Sequence, residues 1–216
     1  MAILYRAEVR PTKLELLSWW LPQRPWSAGA GTELSSLGSF RFDDPAGEVG
    51  VETLIVRAGA GTVLQVPLTY RSAPANGQED HLIGTLQHSV LGQRWVYDAC
   101  GDPVYVAALV AVLDGGGQAA EFVDVDGRLE PREPTAHVVA SGPSSDALVG
   151  SGTGLVPDGE RSTVVQAGRL ELLVVRALDV HGDAARGSGP AGRRLTGTWA
   201  GQSEPVVLAE VTAARR

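Results

Sequence analysis

Cysteine, lysine and asparagine are almost missing from this 216-residue sequence, where Cys100, Lys13 and Asn76 are single copies. With one cysteine, no intrachain disulfide can form and no cysteine-based zinc site can be assembled within one chain. Such usage fits a reducing compartment, and a cytoplasmic location is expected. Long apolar runs are missing too. None approaches the roughly 20 residues needed to cross a bilayer, and the stretch from Met1 to Arg10 lacks the long uncharged core of a signal peptide. Positive charge is outnumbered: 18 Lys and Arg against 25 Asp and Glu leave a net charge of −7. No basic run interleaved with aromatics occurs, so neither nucleic acid nor an anionic membrane surface is expected as a partner.

What is present is the composition of a folded protein, with 44% apolar and 20% charged residues. The length suffices for a real core, and two domains are expected. In the first, Thr12 stands three residues before Glu15, the spacing of a capping box, which predicts a helix of about ten residues starting at Lys13. Leu14, Leu17 and Leu21 share one face of it, and Pro22 and Pro25 end it. Alternating apolar positions then predict strands at Phe40 and Phe42, at Val49 to Ile55, at Leu64 to Tyr70 and at Leu86 to Leu91. Gly59-Ala60-Gly61 supplies a hairpin turn. Pro67 cannot donate to a ladder, so its nitrogen must face an edge or a bulge.

Asp102-Pro103 reads as a helix N-cap followed by proline at the first helical position, and Val106, Leu109, Val110 and Leu113 recur at helical spacing until Gly115-Gly116-Gly117. A short strand near Phe122 to Val125 completes this unit. The fold class expected is α+β: an antiparallel sheet with two helices over residues 1–125, then a smaller antiparallel β-rich unit over 161–216. Residues 126–160 read as a linker with one strand at Ala136 to Ala140. The last unit holds Thr163 to Gln166, a turn at Ala167-Gly168, Arg169 to Ala177, and a hairpin from Leu195 to Val211 turning near Gly201-Gln202. No repeat of fixed period occurs.

Three pieces carry a resemblance. Trp95-Val96-Tyr97-Asp98-Ala99 followed by Asp102-Pro103, Arg24 to Gly31 with Trp26, and Gln65-Val66-Pro67-Leu68 together resemble the N-terminal cap of bacterial maltokinases over about the first 115 residues. Arg161 to Arg176 is similar to the first hairpin of that family's nucleotide-binding lobe, whose second strand carries a lysine for the ATP phosphates. The resemblance puts Leu173 at that place. It also implies that a 216-residue chain lacks the large helical lobe that bears the catalytic aspartate and metal ligands. Kinases use a strand lysine, a catalytic-loop asparagine and a Mg²⁺-binding aspartate. Here Lys13 falls in the first turn of a predicted helix, and Asn76 falls in a predicted loop.

Other motifs read as structure more readily than as chemistry. Val180-His181-Gly182-Asp183 resembles the catalytic loop of aminoglycoside-type kinases, yet it follows a first-lobe strand rather than a helical lobe, so a solvated loop is expected. The run Gly150 to Gly154 leads into a strand and not a helix N-terminus, which makes it a connector. Glu79-Asp80-His81 places three ligand types on adjacent, diverging positions, and Asp124-Val125-Asp126-Gly127 lacks the rest of a calcium loop. No metal and no cofactor is expected. Cys100 sits before a helix N-terminus but has no identifiable base, so a structural role is expected. Among the five tryptophans, Trp19 and Trp26 flank a helix end and are expected to be exposed, as a surface for a protein partner or a sugar.

The function expected is a non-catalytic binding or regulatory module, with a link to trehalose or α-glucan metabolism implied by the resemblance alone. A small phosphotransferase or hydrolase using Asp183 with His181 is one alternative. A partner subunit lending its cap to a separate kinase chain is another, and a homodimer formed through a sheet edge is compatible with each.

Overall fold

A computed structural model describes residues 2–4, 8–27, 33–115, 122–124, 135–142, 154–155, 158–180 and 192–214. Its strands are β1 (Ala2–Leu4), β2 (Val9–Arg10), β3 (Leu34–Phe42), β4 (Gly50–Ala58), β5 (Val63–Arg71), β6 (Leu82–His88), β7 (Gly92–Asp98) and β8 (Phe122–Asp124). They continue with β9 (Ala136–Ser141), β10 (Gly154–Leu155), β11 (Ser162–Ala167), β12 (Leu170–Val175), β13 (Ala177–Leu178), β14 (Arg194–Trp199) and β15 (Gln202–Ala214). The helices are α1 (Lys13–Trp20) and α2 (Pro103–Leu113). The class is α+β, as expected, with antiparallel sheets dominating.

The first sheet has the order β2-β6-β7-β5-β4-β3, and β13 pairs with β5 outside that path. The second has the order β10-β11-β12-β15-β14-β9. A parallel pair of β1 and β8 stands apart from both. β9 therefore belongs to the second sheet through β14, although its sequence position reads as a linker.

Helix α1 begins where the sequence predicts. Thr12 accepts from the Glu15 N–H, and the Glu15 side chain accepts from the Thr12 N–H at 2.7 Å, so two orphan donors are satisfied reciprocally. The helix is shorter than expected, eight residues, because the chain tightens at once into a 3₁₀ turn at Leu21–Gln23 that accommodates Pro22. Its buried face is Leu16, Leu17 and Trp20 rather than the predicted stripe from Leu14. These pack with Leu21 and Trp26 on Leu54, Val56, Leu64, Val66 and Leu68 of β4 and β5.

Alternate residues of these strands, and Phe40 and Phe42 of β3, point the other way. Phe40, Phe42, Val51, Ile55 and Val63 join α2 and the inner residues Val165, Leu172, Leu195 and Leu208 of the second sheet in one core. A sheet covered on both faces needs apolar residues on both, which explains why β4 and β5 read as nearly continuous apolar runs. Helix α2 carries no charge in Pro103–Leu113 and buries six of its side chains, as a helix apolar all round must. Its N-cap is Asp102, whose carboxylate accepts from the Val104 N–H at 2.9 Å.

Pro67 resolves neatly. The Gln65 N–H donates to the Arg176 carbonyl, on the side where β13 pairs with Val63 and Leu64. Two residues on, the proline nitrogen faces that same side, where β13 has ended and β7 pairing begins only at Leu68. An interior strand thus has a local edge, and the proline occupies it.

Candidate functional site

The two sheets meet around a buried guanidinium. Arg176 lies between β12 and β13 and is fully buried. Its Nη2 donates to both carboxylate oxygens of Asp98, each at 2.7 Å, and its Nε donates to the Thr163 hydroxyl at 2.8 Å. Thr163 donates in turn to Asp158 at 2.6 Å, and the Trp26 indole N–H donates to the other Asp158 oxygen at 3.0 Å. The Trp26 ring also lies under the guanidinium, 4.8 Å from centroid to carbon. Burial alone would lower the Arg176 pKa, but the Asp98 charge and its hydrogen bonds raise it further above its ordinary value. This chain of contacts joins the strand β7 end of the first sheet to the β11 and β12 hairpin of the second.

Beside it, the Gln65 amide from β5 donates to the carbonyls of Val175 at 2.8 Å and Leu208 at 2.9 Å. A polar side chain on a buried face is thereby satisfied by two backbone groups of the opposite sheet. Cys100 is buried in the same region. Desolvation pushes its thiol pKa up, outweighing the nearby Arg176 charge, so it is held as a neutral thiol and not as a nucleophile.

A second charge cluster lies on the α1 side of the first sheet. Glu52, 5% exposed, accepts from Lys13 and from the Tyr70 hydroxyl, with Arg41 at 3.5 Å. Burial would raise the Glu52 carboxyl, but the charge of Lys13, then that of Arg41, and the two hydrogen bonds reverse this and hold it at about 2. The only lysine of the chain is thus a strut between α1 and β4. A third network anchors α2: Arg71 donates to both oxygens of Asp102 at 2.8 Å, and the Thr69 hydroxyl adds a bond of 2.8 Å.

The residues singled out from sequence fall in different places. Trp19 is exposed, at 63%. Trp26 is not: it is buried, because its ring is needed against Trp20 at 5.6 Å and over Arg176, so it offers no surface to a ligand. His181 and Asp183 lie outside the described residues, as does most of Gly150 to Gly154 and of Asp124 to Gly127. Asn76 sits in the turn preceding the 3₁₀ segment Glu79–His81. No group of three or more metal-capable side chains occurs among the described residues. The His81 ring instead packs on Gly101, where a Cβ would come within 2.2 Å of it. Leu173 projects from β12 between Val164 of β11 and Glu210 of β15.

Sequence reasoning missed Asp98, Thr163 and Arg176 as one unit. Their signal was a buried-type pattern interrupted by charge: Arg176 stands directly after Leu172-Leu173-Val174-Val175. An open concavity of roughly 480 Å³ lies at the β14–β15 turn, lined by Thr135, His137, Thr198, Gln202 and Ser203 with Trp199. No helix among the described residues is long and apolar enough to cross a membrane.

Comparison with known proteins gives three findings. No curated protein matches the chain. A solved structure titled "Glucosamine kinase in complex with glucosamine, ADP and inorganic phosphate" is similar over 94% of this chain, at 18% identity and a TM-score of 0.44. The chain spans 41% of that protein. Residues 20–102, which run from the end of α1 to the N-cap of α2 and include Trp26, Glu52, Gln65 and Asp98, match the model of the maltokinase N-terminal cap domain, so this part of the chain is similar to that domain.

Proposed function

We propose that the chain is a non-catalytic binding or regulatory module of the maltokinase cap type, serving trehalose or α-glucan metabolism. The observation that carries this reading is the fate of the cations. Leu173, at the strand position that the resemblance gives to the nucleotide lysine, is apolar and has Glu210 beside it. Glu210 is in turn paired with Arg194, whose Nε donates to it at 3.1 Å, so that guanidinium is engaged by a carboxylate. The one lysine is engaged by Glu52 on the α1 side of the first sheet, and Arg176 is engaged by Asp98. Arginine replaces the nucleotide lysine only imperfectly, since a planar fork is not a compact ammonium. A phosphoryl-transfer assay with ATP, Mg²⁺ and either maltose or glucosamine tests this. No turnover above the protein-free rate is expected, and measurable turnover of either sugar overturns the reading.

A second reading is favoured by one observation, the exposure of Trp19. An indole held in solvent on α1 of the cap is the kind of residue that anchors an interface. On this reading the chain lends its cap to a separate kinase chain, and Trp19→Ala weakens that association while leaving the fold intact.

A further inference from the structure

The four terminal strands of the two sheets are protected unequally. β2 and β10 are two residues each, too short to template a neighbour. β3 is nine residues long, but its register breaks between Ser36 and Gly38, and the Ser39 N–H is taken by the Thr135 hydroxyl at 2.8 Å. β9 has none of these devices. Its six residues, Ala136-His137-Val138-Val139-Ala140-Ser141, contain no Asp, Glu, Lys, Arg, Pro or Gly. Its pairing with β14 is unbroken from Arg194 opposite Ser141 to Trp199 opposite Ala136. Among the described residues no strand pairs with its other side. Val139 stands 63% exposed on its outer face, beside exposed His137 and Ser141, while Val138 and Ala140 lie toward the core.

We propose that β9 is where two copies of this chain pair, edge to edge and antiparallel, about a two-fold axis at Val139. The occupant follows from charge and from face matching. Each chain carries a net charge of −7, so two copies repel as whole bodies, and a contact free of like charge, as β9 is, adds nothing to that repulsion. A two-fold axis normal to the sheet keeps each strand face on its own side, so only residues of equal parity can sit opposite one another. Centred on Val139, the pairing sets Val139 against its own copy, His137 against Ser141 and Val138 against Ala140. The exposed valines cover each other, the core-facing positions continue the apolar inner surface, and no charges are opposed. Two six-stranded sheets become one of twelve. A strand from an unlike protein would have no such built-in register. This surface is independent of whether the chain binds a nucleotide.

Sedimentation velocity over a range from ~1 to ~100 μM tests the proposal, the upper limit being set for a contact of modest size. A dimer is expected to accumulate with concentration and to tighten with added salt, because salt screens the repulsion between the two bodies. Val139→Lys places like charges opposite each other and is expected to weaken dimerisation about tenfold or more, while Ser35→Lys on the exposed part of β3 leaves it unchanged. Amide exchange gives a second readout in the unsubstituted chain: the β9 amides become protected as concentration rises. A chain that stays monomeric throughout, leaving the edge for a strand of another protein, overturns the proposal. So do a dimer that Val139→Lys leaves intact, a dimer that salt dissolves, and β9 exchange that ignores concentration.

Discussion

Two buried carboxylates, Glu52 and Asp98, answer the same problem in different places. Glu52 lies between α1 and the first sheet and is neutralised by Lys13, whose side chain is 30% exposed. Asp98 lies at the meeting of the two sheets and is neutralised by Arg176, whose side chain is wholly buried. The first pair fastens a helix to its own sheet, within a single stretch of 39 residues. The second fastens the end of β7 in the first sheet to the strands β12 and β13 far along the chain, across 78 residues. The difference teaches that the first sheet is not closed on itself: its polar interior is completed by Arg176 and by the backbone of Leu208, far along the chain.

The sharpest way to break the comparison is at the junction. Arg176→Met leaves the Asp98 carboxylate buried without its counter-charge, and loss of one partner of such a pair costs about 3–5 kcal/mol. Denaturant unfolding should register that loss while keeping a single transition for both sheets. Two separated transitions would mean that the sheets fold independently.

Next is Glu52, where the effect has a pH signature. Its carboxyl falls from an ordinary 4.5 to about 2 on folding, so the stabilisation is fully present above the unfolded value and is lost as pH falls through the folded one. The size is ~3 kcal/mol. Thermal melts of the unsubstituted chain should therefore drop between about pH 4.5 and pH 2, and Glu52→Gln should lower stability at neutral pH and flatten that part of the curve. A Glu52→Gln profile parallel to the original would assign the acid response elsewhere.

Smaller effects sharpen the outline. Thr12→Ala removes one half of the capping box and should cost about 1 kcal/mol in chemical unfolding. Trp19→Ala changes an exposed ring and should stay within about 0.5 kcal/mol, which makes it a clean probe of binding.

What was legible in the sequence follows from the range of the interactions. The capping box at Thr12 and the Asp102-Pro103 helix start are local rules, and both hold. The hairpins at Gly59 to Gly61, Gly168 and Gly201 were legible because glycine marks the turn, each with Gly59, Gly168 and Gly201 at positive φ. β7 was not, since Gly92-Gln93-Arg94 opens it with polar residues. The membership of β9 was hidden because its partner β14 lies beyond a long stretch of chain. Trp26 was misjudged for the same reason: the aspartate that receives its indole N–H is 132 residues away. Buried Gln65, likewise, bonds to Leu208 at a separation of 143. Local pattern identifies elements, whereas the polar contacts that fix how elements meet are made by residues with no local signature.

Lys13 and Arg176 each serve the architecture, engaged by Glu52 and Asp98, and neither is available to a nucleotide at the Leu173 position. Calorimetric titration of the intact chain with ATP and Mg²⁺ tests this most directly. The account predicts no saturable heat up to millimolar nucleotide, a bound of about −4 kcal/mol. Stoichiometric binding in the micromolar range would contradict it.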